Sequence, residues 1–347
     1  MASTISVDPR LNHSAVGNKN HYPDGVVEEI EGLIRVQRDG QVQRPPIIPT
    51  VPCSFGLEPG LLAKDIVIDK ATNLWARIYA STATPSAAKL PLLVYFHGGG
   101  FCVGSASWCC YHEFLANLAA KANCVIISVN YRLAPESRLP AAYEDGFNTL
   151  MWVKRQADMQ SQSSSEQKWW SSRCNFSSLF LAGDSAGANI AFHVATRLTN
   201  ETTKPLCLKG VILVQPFFGG EARTGSEKHA NQPANSALTL SASDTYWRLS
   251  LPLGANRDHP WCNPLANGQA KLRDLRLTTG MLVCVSDMDI LRDRNMEFCN
   301  ALICMGKKVE IAVYKCVGHA FQVLHNSQLS RTRTQELISN ISAFINK

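Results

Sequence analysis

The residues best suited to chemistry are a serine, a histidine and a glycine-rich loop, each placed at the end of an apolar run. Ser185 lies in Gly183-Asp184-Ser185-Ala186-Gly187, directly after the run 179–182 and before a helix-forming stretch. A sharp strand-to-helix turn suits a nucleophilic serine, because it pushes the hydroxyl out from the backbone. Glycines are required beside it, since larger side chains would collide in so tight a turn. The second signal is His97-Gly98-Gly99-Gly100-Phe101, which follows the apolar run 92–96. Consecutive glycines leave backbone N–H groups open to close approach by an anion. Gly98 and Gly99, with the N–H of Ala186, are expected to hold the oxyanion of a tetrahedral intermediate. His97 and Gly100 are expected to support that loop. A phosphate cradle is the competing reading, but it would carry a Lys-Ser/Thr pair or a G-x-G-x-x-G opening a helix. Phe101 stands there instead.

A serine hydroxyl needs a base, and the base needs an acid to orient it. On a strand-turn-helix nucleophile the chain order is serine, acid, histidine. Asp287, Asp289 and Asp293 follow the apolar run 282–285, and Gly318-His319-Ala320-Phe321 follows the run 309–314. His319 is the expected base, because a neutral imidazole takes and returns a proton near pH 7. Asp289 is the expected orienting acid, with Asp287 and Asp293 as the alternatives. Other histidines, such as His13, His21, His229 and His259, sit in polar loop sequence.

Strands and helices must alternate to present these groups together. Strands are expected at 65–69, 74–80, 92–96, 125–129, 179–182, 211–214, 282–285 and 309–314. The middle six are continuous apolar runs, the pattern of parallel strands covered on both faces. Helices are expected at 111–122, 141–155, 188–199 and 332–345, the last with Leu337, Ile338, Ile341, Ala343 and Ile345 on its apolar face. This alternation gives an α/β fold, with a mostly parallel sheet and helices on both sides. Arg38-Asp39-Gly40 reads as a hairpin turn, and the Ser/Gln-rich stretch 160–167 as a surface loop. Residues 1–25 are polar and aperiodic and are expected to form a flexible tail, leaving 26–347 as a single domain. The alternation breaks at 217–265, where an insertion over the active face is expected, with a short helix near 241–249.

Composition narrows the function. With 347 residues, 45% hydrophobic and 18% charged, the chain is neither disordered nor fibrous. A net charge of +6 without a basic stripe argues against nucleic acid. The 12 cysteines include no C-x-x-C pair, so no metal site is expected. No run is apolar enough for a signal or a membrane span. These features lead to the expectation of a reduced, cytoplasmic protein that does not engage membranes.

Taken together, His97–Phe101, Tyr131-Arg132-Leu133-Ala134-Pro135-Glu136, Gly183–Gly187, Asp289–Asp293 and Gly318–Phe321 resemble the plant carboxylesterases. These form part of the hormone-sensitive-lipase-like branch of the α/β-hydrolases, which also contains the gibberellin receptor. Residues 29–40 and 99–115 are most similar to the carboxylesterase-17 type. The resemblance runs from about residue 26 to the carboxyl terminus. It implies an α/β-hydrolase fold and a serine esterase acting on small carboxylic esters, with a Ser185-His319-Asp289 triad and no metal or organic cofactor. Residues 26–60 and 217–265 are expected to contribute a lid, and Phe101, Tyr131, Phe217, Phe218 and Trp247 a substrate pocket. One departure is Ala188, where the family usually has glycine; a packing change is expected there. The receptor lacks the catalytic histidine, whereas His319 is present here. A dehydratase or cyclase on the same scaffold stays open.

Overall fold

Every apolar run read as a strand joins one sheet. The computed structural model describes residues 25–82, 89–159, 165–198, 204–229, 232, 236–266, 272, 277 and 280–347. The expected tail lies outside them except for its last residue. Strands β1 (Val26–Ile30), β2 (Ile34–Gln37) and β3 (Val42–Gln43) form a small antiparallel sheet, with Asp39 and Gly40 in the turn between β2 and β3. Gly40 has φ of 87°, the left-handed conformation such a turn requires. The main sheet contains β4 (Leu61–Asp69), β5 (Leu74–Ser81), β6 (Leu90–Phe96), β7 (Val125–Asn130), β8 (Cys174–Asp184), β9 (Leu208–Val214), β10 (Gly280–Ser286) and β11 (Val309–Tyr314). Their order is β11-β10-β9-β8-β6-β7-β5-β4.

The six strands from β6 to β11 are parallel to one another, whereas β5 runs antiparallel to both β4 and β7. The expectation that 74–80 belongs to the parallel set is therefore corrected. Its apolar run reflects burial on both faces, which is independent of strand direction.

Helices α1 (Cys109–Ala122), α2 (Ala141–Asp158), α3 (Ser165–Ser171), α4 (Ala186–Leu198), α5 (Gly225–His229), α6 (Leu240–Ser250), α7 (Arg292–Cys304), α8 (Phe321–Leu324) and α9 (Gln328–Ile345) complete the described elements. Alternate side chains divide between the two sheet faces. Leu93, Tyr95, Ile126, Phe180 and Ile212 meet α1 and α9 in one core. Leu92, Val94, Phe96, Leu181 and Val211 meet α2, α4 and α7 in the other.

Two local readings change. The stretch 160–167 runs into helix α3, because Trp170 is fully buried and stacks on Trp152 of α2 at 5.5 Å; residues 160–164 lie outside those described. On α9, Phe344 takes the buried place expected for Ala343, which is exposed.

Phe344 packs edge-on against Phe180 at 6.1 Å and sits where a side chain on Gly210 would collide with it. Phe344→Ala should therefore cost about 3–5 kcal/mol of stability. Denaturant unfolding of both proteins measures this, and a loss below about 1 kcal/mol would contradict the packing described.

Candidate active site

The parallel strands all end at the same sheet edge, and the chemical residues collect there. Ser185 occupies the single-residue turn between β8 and α4 with φ of 52°. A side chain is sterically excluded at both nearby glycines. A Cβ on Gly183 would lie 2.3 Å from the Gly187 carbonyl carbon, and one on Gly187 would lie 1.9 Å from the Phe96 carbonyl oxygen. The serine backbone is pinned as well: its N–H donates to Val214 at 2.8 Å and its carbonyl accepts from Phe217 at 3.0 Å. Ala188 is fully buried inside α4, on the packing side of the turn.

His319 and Asp289 reach this turn from the loops after β11 and β10. His319 Nε2 lies 2.9 Å from Ser185 Oγ, and Nδ1 lies 2.7 Å from Asp289 Oδ2. The other Asp289 oxygen accepts the Leu291 N–H at 3.0 Å. All three residues are buried. With the carboxylate accepting at Nδ1–H, Nε2 is left as an acceptor for the serine proton. The alternative acids face elsewhere. Asp287 accepts the Cys316 N–H at 2.8 Å, and Asp293 accepts the Ser226 N–H at 2.6 Å.

The glycine loop departs from the sequence expectation at one residue. The Gly98 N–H is already engaged, donating to Tyr111 Oη at 2.8 Å and to Asp184 Oδ1 at 3.1 Å. A single N–H cannot also serve an incoming oxyanion, so Gly98 leaves the donor set. Among the described residues, the N–H groups of Gly99, Gly100 and Ala186 have no such partner. His97 packs against the loop. It lies 2.8 Å through Nδ1 from the Gly98 carbonyl, stacks on Tyr131 at 4.3 Å, and its own carbonyl accepts from Tyr131 Oη at 2.8 Å. Burial drops its imidazole to about 4, so it stays neutral at working pH.

Comparison with known proteins identifies the fold family. Residues 93–323 match a family described by the alpha/beta hydrolase fold. The chain belongs to the α/β-hydrolase family. It is 48% identical to Probable carboxylesterase 6 of Arabidopsis thaliana, over 97% of each protein. It is 32% identical to the gibberellin receptor GID1C of the same plant, covering 85% of this chain and 84% of the receptor. Among solved structures, an esterase from Pyrobaculum calidifontis superposes with a TM-score of 0.66 at 25% identity, covering 81% of this chain and 84% of that one. The resemblance to plant carboxylesterases read from the sequence is thus matched across nearly the whole length.

The α/β-hydrolase chain places the five expected pocket aromatics in packed interior positions. Phe217 and Trp247 stack at 4.5 Å, and Phe101 leans on both at 6.1 and 5.5 Å. Phe218 turns away to Phe192 and Phe298, and Tyr131 serves His97. Tyr246 was not singled out in the sequence, yet its ring lies so close to Gly100 that a Cβ there would sit 2.2 Å from Cγ. The two expected lid segments do meet, through Arg248 of α6 and Glu28 of β1 at 2.7 Å. Arg44 also ties the amino-terminal segment to the loop, donating to the Cys102 carbonyl at 2.6 Å.

Asp184 is the other residue that sequence reasoning passed over, although an acid ending an apolar strand was a visible signal. It is fully buried and accepts from Tyr95 Oη at 2.8 Å and Tyr111 Oη at 2.9 Å, besides Gly98. Burial pushes its carboxyl up to about 6, while the hydrogen bonds from Tyr95 and Tyr111 act in the opposite direction. The folded chain therefore holds this proton more readily than the unfolded chain, whose ordinary value is 3.8. The stability this provides is fully present below that value and is lost as pH rises through about 6. Relative to Asp184→Asn, which cannot ionise, wild type should lose thermal stability as pH rises from about 4 to about 6 and then level off. Melting temperatures of the two proteins across that range test this; a constant difference would contradict the buried, ionisable carboxyl.

Proposed function

We propose that this chain is a serine carboxylesterase that hydrolyses small carboxylic esters through an acyl-enzyme intermediate. The observation that carries the reading is the continuous hydrogen-bonded line from Ser185 Oγ through His319 to Asp289, at 2.9 and 2.7 Å. A binding protein has no use for a base aligned on a serine held in a tight strand-to-helix turn, and the similarity to carboxylesterases points the same way.

In the proposed reaction His319 Nε2 takes the Ser185 proton as Oγ attacks the ester carbonyl carbon. Asp289 keeps the proton on Nδ1 and stabilises the imidazolium that forms. The carbonyl oxygen becomes an oxyanion and is received by the N–H groups of Gly99, Gly100 and Ala186. One such donor is worth on the order of a hundred- to a thousandfold in rate. The tetrahedral intermediate collapses as His319 returns its proton to the departing alkoxide, leaving the acyl group on Ser185. Water then attacks the acyl carbon while His319 takes its proton, and the second collapse frees the acid and restores the serine.

The mechanism uses no metal or organic cofactor.

With p-nitrophenyl butyrate, Ser185→Ala and His319→Ala should each lose on the order of 10⁶-fold in kcat, and Asp289→Asn on the order of 10⁴-fold. Fluorophosphonate should label wild type and leave Ser185→Ala unmodified. A folded wild type that neither turns over nor becomes labelled would overturn the reading.

A further inference from the structure

Apart from Asp289, one buried side chain holds the histidine loop on both sides of His319. Gln215 follows β9, is 1% exposed and has φ of 48°, a conformation uncommon for a residue with a side chain. Interior strain of this kind persists only where surrounding contacts over-determine it. Its backbone N–H donates to Cys284 at 2.8 Å. Its carboxamide donates through Nε2 to the Gly318 carbonyl at 3.1 Å and to Ser286 Oγ, and accepts through Oε1 from the Ala320 N–H at 2.8 Å.

Gly318 and Ala320 are the two chain neighbours of His319, and Ala320 is itself left-handed, with φ of 56°. Ser286 ends β10, at the root of the loop carrying Asp289. An apolar side chain of the same volume would fill this space equally well. Only a carboxamide donates on one side of the histidine and accepts on the other. The residues around Gln215 extend the brace. Val214 and Phe217 bond the two backbone groups of Ser185, and the Pro216 carbonyl accepts from Asn295 Nδ2 at 2.8 Å. Four consecutive residues thus contact the nucleophile turn, the base loop and the first turns of α7.

We propose that Gln215 is a positioning residue that fixes His319 against Ser185 by bracing the Gly318 carbonyl and the Ala320 N–H. The inference rests on the acyl-transfer reading above and adds to it a fourth side chain with a defined task. Loss of the brace lets the 318–320 backbone shift, and a displacement near 1 Å at the reacting groups costs about a hundredfold in rate. Substrate binding, which does not pass through Gln215, is left nearly unchanged.

The test compares full-length wild type, Gln215→Leu and Gln215→Asn by p-nitrophenyl butyrate kinetics, and by both the rate and the endpoint of fluorophosphonate labelling. Gln215→Leu should lower kcat and labelling rate about a hundredfold, with KM within about threefold and an endpoint still near one label per chain. A side chain needed only for folding would reduce the endpoint and leave the rate per labelled chain unchanged, which would overturn the proposal. Should Gln215→Leu fail to fold, Gln215→Asn carries the same carboxamide one methylene short. It should lose at least about tenfold in kcat with the endpoint kept. Wild-type rates in the folded variant would overturn the proposal while leaving Ser185 chemistry intact. A wild type without turnover or labelling would instead remove the acyl-transfer reading, and the role of Gln215 with it.

Discussion

The site depends first on a contact between two backbones. A Cβ on Gly187 would lie 1.9 Å from the Phe96 carbonyl oxygen, so the helix behind the nucleophile presses directly on the strand that leads into the glycine loop. That closeness sets Ser185 and the loop in one rigid frame. It also requires the left-handed turn at Ser185, because no other path carries β8 into α4 over so short a distance. Glycine at 183 and 187 is therefore a steric necessity, and it leaves Ser185 Oγ within 2.9 Å of His319 Nε2.

Electrostatics then select which groups remain free to react. Asp184, fully buried beside Ser185, draws in Tyr95, Tyr111 and the Gly98 N–H. This fixes one end of the glycine loop and leaves the next two amides unpaired. His97, kept neutral by burial, braces the same loop from its other side by stacking on Tyr131. The base side is built on a similar plan, with the Gln215 carboxamide in place of a carboxylate. In both halves a buried polar side chain satisfies the backbone around a reacting group, and the reacting group keeps its own valence open. Buried polar networks of this kind hold geometry well only when nearly every member is paired.

How much of this was legible in the sequence depended on the range of the interaction. The strands were readable because β6 to β10 are covered on both faces, and continuous Val, Leu and Ile runs follow directly from that burial. The direction of β5 was not, since an antiparallel strand buried on two faces has the same pattern. That Ser185, Asp289 and His319 meet at one sheet edge was readable because each follows a strand whose carboxyl end lies there. Which glycine amides stay free was not. All three carry the same N–H, and the choice is made by Asp184 and Tyr111, which lie 86 and 13 residues away from Gly98. Gln215 gave no signal either, because a glutamine after an apolar strand is ordinary until the loops that it bonds are folded around it. The aromatics near 217–247 are recognisable as a group, but which rings they meet is decided by pairwise packing, as where Phe217 stacks on Trp247.

In the proposed reaction an acyl group passes through Ser185. The most direct measurement mixes the full-length protein with p-nitrophenyl butyrate, quenches in acid within milliseconds and weighs the intact chain. A burst of p-nitrophenol with a mass gain of about 70 Da, located on the peptide containing Ser185, is the predicted result. Turnover without any adduct on that peptide, or with the adduct on another residue, would rule out acyl transfer through Ser185.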